Sequence, residues 1–473
     1  MTKTCTILIK NEVNAFIGGL DKADIAILNE AFTFFVDGYF FMPAYQLGRW
    51  DGKITFFDLR GNTYTKILDE VVGYIVELGY EVDIDDKRAT PRPIDGVATA
   101  DMFEAWSPGF RLRPYQIECV NELVAQGGGI VVAGTGAGKT SICAALCRVL
   151  NDAGYKTCLI VPSTDLIEQT AETFIPLGVD TGEYSGSVKD VEHDTVISTW
   201  QALQNNMAMM KLFDAVIVDE AHGTKGTVIR ELINEHGSHM TFRCGVTGTI
   251  PKPIIDQYNL KISLGQVIKE ISTKWLIDNG FLSTCDIFPI EMDDKARLRK
   301  DGMLDEFPDY SAEKAWVGKF AERVDAIAKF VKDTAVGGNT FVLVNNIPFG
   351  KMLEKRIAGS QFLYGETERD TRQTSYKEFE NRDDLICIAS QGIASTGISI
   401  DRIFNLIFID YGKSYIKAIQ SCGRGLRKGS DKNHINIYDV FSNLKYGRKH
   451  FRERSTHYKE AQYPICDKIK LRY

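Results

Sequence analysis

Residues Gly127 to Thr140 read GGGIVVAGTGAGKT, and this stretch limits what the chain can be more than any other. Ile130, Val131 and Val132 form a short apolar run of the kind that makes a buried strand. A glycine-rich turn follows, and Lys139-Thr140 opens an apolar helix from Ser141 to Leu150. Strand, loop and helix in that order form a phosphate-binding loop. Gly134, Gly136 and Gly138 let the backbone curl so that successive N–H groups turn inward, and the positive end of the following helix favours the same anion. Thr135, Gly136, Ala137, Gly138, Lys139, Thr140 and Ser141 therefore read as the cradle of a nucleotide, ATP. Lys139 would reach the β- and γ-phosphates, and the Thr140 hydroxyl would hold Mg²⁺. Ala133 stands where the strict pattern has glycine.

The second signal lies about eighty residues on, in Ala215-Val216-Ile217-Val218-Asp219-Glu220-Ala221-His222. An apolar strand ending in acids puts two carboxylates at the edge of a sheet, beside the phosphate loop. Asp219 would hold Mg²⁺ through water, Glu220 would orient and deprotonate the attacking water, and His222 could link the nucleotide to the next motif. No second histidine lies four residues further, so the zinc-protease pattern does not apply. Phosphoryl transfer also needs positive charge on its transition state. Gln420-Ser421-Cys422-Gly423-Arg424-Gly425-Leu426-Arg427 offers it, with Arg424 and Arg427 on one face of a helix and Gln420 one turn before. Upstream, Leu112-Arg113-Pro114-Tyr115-Gln116 gives a Gln116 amide for the edge of adenine and an Arg113 able to stack on its ring.

At 473 residues the chain is too long for one core and should hold about three domains. No apolar run approaches a membrane span, and the N-terminus lacks a signal-peptide core. Ten cysteines occur without metal spacing, and Cys143 and Cys147 read as core packing on one helix. These features predict a reduced, cytoplasmic protein with no membrane partner. Net charge is −7, so a nucleic-acid site would have to be a local groove and not the whole surface. Charge is unevenly spread: residues 1–105 hold 10 basic and 17 acidic side chains, whereas residues 441–473 hold 9 and 3.

Residues 1–105 read as a small α+β unit, with strands at TCTILIKN and KITFFD, a turn at Asp51-Gly52, and a helix from Leu68 to Leu78. Phe32 to Trp50 is rich in aromatics. Large side chains are what a small core needs, which is one reading of the stretch. The sharper reading is a surface, including Arg49, Trp50 and Lys53, that stacks on or splits nucleic-acid bases. Asp85 to Ala100 reads as a linker. From Phe110 onward strands alternate with helices, which implies parallel sheets. One series runs through Ile130–Val132, Thr157–Val161, Thr195–Ser198, Ala215–Val218 and Arg243–Val246. A second comprises the strand near Thr340, Gln361–Tyr364, Leu385–Ala389, Leu406–Ile409 and Ile435–Val440. Met292 to Asp309 reads as an exposed connection or insertion, with the break near Gly280–Asp286.

Taken in order, these motifs resemble those of superfamily 2 helicases and translocases. RPYQ, AGTGAGKT, VPSTDLIEQT (Val161–Thr170), STWQ (Ser198–Gln201), VDEAH, TGT (Thr247–Thr249), FVLVNN, ASQGIASTGIS (Ala389–Ser399) and QSCGRGLR span nearly all of residues 110–440. The resemblance implies an α/β fold of two tandem RecA-like lobes behind a small N-terminal α+β domain. Its implied divisions are 1–105 for junction recognition, 106–282 and 283–440 for the lobes, and 441–473 for a basic tail. It also implies that Pro162, Ser163, Thr164, Thr199, Trp200, Gln201, Gln391 and Thr396 face the nucleic-acid strand, and that Gly397 lies at the nucleotide. Ser399 departs from the commoner Asp of that motif. Val36–Asp58 further resembles the leading domain of UvsW-type phage helicases. That similarity implies an ATP- and Mg²⁺-dependent DNA helicase acting on forks, Holliday junctions, D-loops and R-loops in replication, recombination and repair. Its partners would be branched, forked or single-stranded DNA, RNA–DNA hybrids, and replication or recombination proteins. For a phage-encoded chain the location would be the host cytoplasm. Two other enzyme readings stay open, a duplex translocase that never separates strands and an RNA helicase. A nucleic-acid binder with a spent ATPase is disfavoured because Lys139, Glu220, Arg424 and Arg427 are all present. A P-loop transporter or GTPase would not need the QxxGRxxR of the second lobe.

Overall fold

Alternation of buried and exposed side chains sets the first strand of the chain, β1 (Lys3–Ile9), in which Cys5, Ile7 and Ile9 all point inward. The computed structural model describes residues 3–223, 226–390, 402–410, 412, 433–460 and 462–473. It separates into two units, Met1–Gly134 with Gly138–Ile271, and Thr135–Ala137 with Ser272–Tyr473.

In the first unit β1 pairs antiparallel with β2 (Asn14–Gly18). The hairpin β3 (Thr33–Phe35) and β4 (Lys53–Thr55) stands apart as a two-stranded sheet. The small four-stranded sheet is completed by β5 (Asn62–Tyr64) and by β6 (Tyr80–Asp86), which runs parallel to β1. The helix Leu68–Glu77 buries Leu68, Val71 and Ile75, a helical spacing, against this sheet's core. Only part of the aromatic stretch belongs to that core. Phe32 is buried, together with Phe56 and Phe57 further on, but Phe35, Phe40 and Phe41 are 51%, 52% and 75% exposed. The excursion between β3 and β4 thus carries its rings outward. Its return is fixed at Gly52, where φ is +82° and a Cβ would fall 2.4 Å from the Tyr39 ring. No L side chain fits there. The linker residues 87–99 have no regular structure, yet Arg92 ties them down through Asp214 (3.2 Å) and the Tyr155 hydroxyl, which donates to the Arg92 carbonyl (2.9 Å).

The larger sheet of this unit contains β7 (Gly128–Ala133), β8 (Thr157–Val161), β9 (Thr181–Tyr184), β10 (Thr195–Thr199), β11 (Ala215–Asp219), β12 (Phe242–Thr247) and β13 (Val267–Ile271). All are parallel, in the order β13-β7-β12-β11-β8-β10-β9. Near-continuous apolar strands of this kind are what a sheet covered on both faces requires. Cys143 and Cys147 are both buried beneath it. After β12 comes the helix Ile254–Leu264, whose residues enter two cores. Leu260 and Leu264 pack with the strands of the large sheet, whereas Ile255 and Ile262 complete the core of the small N-terminal sheet.

A second parallel sheet of seven strands, in the order β16-β17-β15-β18-β19-β14-β20, organises the other unit. Its strands are β14 (Thr284–Met292), β15 (Thr340–Val344), β16 (Gln361–Leu363), β17 (Ile386–Ser390), β18 (Asn405–Ile409), β19 (His434–Ser442) and β20 (Ile469–Leu471). The expectation of an exposed connection or insertion from Met292 to Asp309 fits residues 301–309, which are mostly exposed, but not the residues before them. The strand β14 runs up to Met292, the helix Asp294–Lys300 follows it, and Leu298 is buried with Trp316, Val317 and Leu444. The basic tail forms the helix Lys445–Glu460, and part of its charge is spent internally. Arg454 is buried against Asp439 at 2.7 Å, and Lys468 meets Glu291 at 2.8 Å.

Candidate nucleotide and nucleic-acid site

Parallel strands deliver their C-terminal ends to one edge, and in open α/β sheets ligands gather there. Adjacent strands β7, β12 and β11 bring three motifs to that edge of the first sheet. The loop after β7 turns through Gly136 (φ +86°) and Gly138 (φ +73°) into the helix Lys139–Asp152. Lys139 Nζ lies 3.0 Å from Glu220 Oε1, and a Cβ on Gly248 would sit 3.7 Å from that same ammonium. The Thr140 side chain is exposed and Ser141 is half-buried.

Glu220 follows β11 with φ at +48°, a left-handed conformation that side chains with a Cβ rarely adopt. Its second oxygen, Oε2, is buried and has no hydrogen-bond partner among the described residues. His222 Nδ1 is 3.3 Å from it but engages Thr247 Oγ1 at 2.7 Å instead. Thr247 Oγ1 in turn donates to the Thr249 carbonyl at 2.9 Å. Burial alone would raise the Glu220 carboxyl, but the contacts with His222 and Lys139 outweigh it and hold the group well below the ordinary carboxylate range. Burial and the Glu220 charge push Asp219 the other way, upward. An anion held at such a cost is an anion short of positive charge, which suits a cation ligand. Among the described residues no cluster of three or more His, Cys, Asp or Glu could hold a metal alone. Thr140, Asp219 and the oxygens of a nucleotide fit Mg²⁺, which keeps few protein ligands.

Gln116, in the first turn of the helix Pro114–Ala125, accepts a hydrogen bond from the Arg113 N–H (2.9 Å) and is buried. A Cβ on Gly138 would meet Gln116 Nε2 at 2.4 Å, so this amide lies directly on the phosphate loop. Arg113 Nη1 donates to the Tyr115 hydroxyl at 3.1 Å.

On the same edge β8 and β10 run side by side. Pro162 and Thr164 are exposed and Ser163 is half-buried at the start of the helix Thr164–Phe174. Gln201 is exposed, Trp200 packs partly on the core, and Thr199 is buried, its hydroxyl accepting from the Ala202 N–H. In the N-terminal excursion Arg49 is exposed, and Lys53 Nζ sits 4.8 Å over the Phe35 ring. Trp50 is half-buried and donates its Nε1–H to the Lys53 carbonyl at 2.8 Å, which makes it a brace of that turn. Gln391, Thr396, Gly397, Gln420, Arg424 and Arg427 lie outside the described residues. Thr247 is the participant that motif reading left without a role; the signal was its place in TGT, at the end of the strand beside β11.

Three family models match the chain. "DNA helicase UvsW, N-terminal" covers residues 19–85, "Type III restriction enzyme, res subunit" residues 109–252, and "Helicase conserved C-terminal domain" residues 322–429. The chain is 26% identical to the ATP-dependent DNA helicase uvsW of Enterobacteria phage T4, across 87% of this chain and 86% of that one. A putative DNA helicase of Haloarcula marismortui is 25% identical over 69% of this chain and 52% of its own length. In fold, the chain is similar to a fragment of a putative HsdR subunit of a type I restriction enzyme from Vibrio vulnificus. That match has a TM-score of 0.58, 20% identity, and covers 80% of this chain and 72% of that one.

Proposed function

We propose, on the premise that this chain is a UvsW-like, ATP-dependent DNA helicase, that it remodels branched DNA: forks, four-way junctions, D-loops and R-loops. The observation that carries the reading is the pairing of Lys139 with a Glu220 whose other oxygen accepts no hydrogen bond among the described residues, at the sheet edge where β8 and β10 also end. ATP is the substrate whose phosphoanhydride is cleaved; Thr140 and Asp219 would hold Mg²⁺, which would neutralise phosphate charge. Lys139 exchanges Glu220 for phosphate. Glu220 takes the proton of the water that attacks the γ-phosphate as the bond to ADP breaks, and His222, held by Thr247, stands 3.3 Å from the second carboxylate oxygen. Arg424 and Arg427 supply positive charge to the transition state, and Gln420, Gly397, Gln391 and Thr396 complete the nucleotide and strand contacts.

Pro162, Ser163, Thr164, Thr199, Trp200 and Gln201 hold one strand by its phosphates, which positions DNA without reading its sequence. Thr199, buried, contributes by capping the helix that presents Trp200 and Gln201. Arg49 and Lys53, braced by Trp50, meet the junction. We assign residues 1–105 to junction recognition, 106–282 and 283–440 to the two lobes, and 441–473 to the tail. No helix among the described residues is long and apolar enough to cross a membrane. The test is to compare ATPase stimulation and strand displacement on a fork, a four-way junction, an R-loop and plain duplex. Branched substrates should be displaced fastest. ATP hydrolysis on duplex without displacement of any substrate would turn the reading to a duplex translocase.

A further inference from the structure

The helix Ile254–Leu264 begins five residues after Thr249 and lies between two cores. On its N-terminal-domain face, the Tyr258 ring is held among Phe32, Phe34 and Phe56, with ring centres at 6.5, 5.0 and 5.0 Å. The Tyr258 hydroxyl donates to Glu70 Oε2 at 2.6 Å, and Lys261 Nζ pairs with the other Glu70 oxygen. Its remaining surface meets the segments that follow two ATPase motifs. Gln257 Nε2 donates to the Pro251 carbonyl at 2.9 Å, two residues from Thr249. A Cβ on Gly226, four residues after His222, would meet Asn259 Nδ2 at 2.8 Å. Pro251 and Pro253 leave little backbone freedom between helix and motif. One helix is thus bonded to the small domain at Glu70 and to Pro251, two residues after Thr249, and packs against Gly226, four residues after His222.

We infer that this helix couples the N-terminal domain to ATP turnover, with Glu70, Tyr258 and Lys261 as positioning residues that relay DNA engagement to Thr247 and His222. The inference rests on the reading that the ATPase is driven by DNA. A free energy shared between two sites is what coupling means, and it requires an element that both sites bias.

The test uses full-length Tyr258→Phe and Glu70→Gln, each of which keeps its packing volume. Deletion of the N-terminal domain would instead expose Ile255, Tyr258 and Ile262. ATPase is measured alone, with a short single strand and with a four-way junction, alongside thermal unfolding. Basal turnover, the KM for ATP and stimulation by single strands should be unchanged. Stimulation by the junction should fall roughly 2- to 30-fold, the range in which substitutions remote from both ligands alter coupling. Lys261→Glu combined with Glu70→Lys, which reverses the ion pair, should recover part of it. Folded variants with full junction stimulation would overturn the inference. So would equal losses on both DNAs that track a lowered melting temperature, since that is a purely structural role. A wild-type protein that no DNA stimulates would instead refute the helicase reading itself.

Discussion

Glu220 and Asp410 occupy matching places in the two large sheets. Each follows the last residue of a central parallel strand, β11 or β18, and each has a left-handed backbone, φ +48° and +46°. Their surroundings are opposite. Asp410 is saturated: Arg323 grips both its oxygens at 2.7 and 2.9 Å, and its carbonyl accepts from the Tyr310 hydroxyl. Arg323 is itself buried and bound also to Asp294, which the Tyr473 hydroxyl meets at 2.6 Å. Glu220 has one oxygen on Lys139, and among the described residues the other accepts no hydrogen bond, with His222 Nδ1 3.3 Å away. A strand end with a strained acid is therefore not by itself a reactive site. What separates the two is whether the acid's hydrogen-bonding capacity is already used.

The most severe way to probe that difference is to unbalance the saturated acid. Arg323→Met should lower unfolding free energy in urea by about 3–5 kcal/mol, because it strands buried carboxylates. If stability hardly changes, the Asp410 cluster is not the structural counterpart described. Next in size, Glu220→Gln should leave nucleotide affinity nearly intact while turnover falls by at least ~10²-fold, the lower reach of general-base catalysis. Hydrolysis near the wild-type rate would erase the distinction between the two acids. The smallest effect concerns the backbone. Glu220→Gly releases about 1 kcal/mol of left-handed strain and should melt no lower than the parent. Asp410→Gly releases the same strain but loses the Arg323 pair, so it should melt lower.

Where the sequence was legible, the reason is that strand ends and loops carried side chains whose chemistry has few other uses. GKT and DEAH sit at the edge their apolar strands predict. The strand β14 hid behind Pro289, a residue that usually argues against a strand. It is tolerated because Ile287, two positions earlier, sends its N–H to Pro464, and pairing with β20 starts only at Ile290. The missing Pro289 N–H falls in that gap. The helix Ile254–Leu264 hid for another reason: IIDQYNLKISL shows no single apolar stripe because it feeds two cores. The aromatic stretch was divided by the fold itself, with Phe32 inside and Phe40 and Phe41 outside, a split that composition does not encode.

The shared helix also bears on the order in which the chain is made. A ribosome releases the N-terminal sheet before the helix, yet two buried members of its core, Ile255 and Ile262, lie 169 and 176 residues beyond Asp86, where the last strand of that sheet ends. Contacts so distant in sequence are slow to form, because a long loop must close before they are rewarded. Until residue 262 has emerged, the nascent domain presents Phe32 and Phe56 without Tyr258 to cover them. The small domain must wait, unfinished, for a helix that follows all but one strand of the larger sheet.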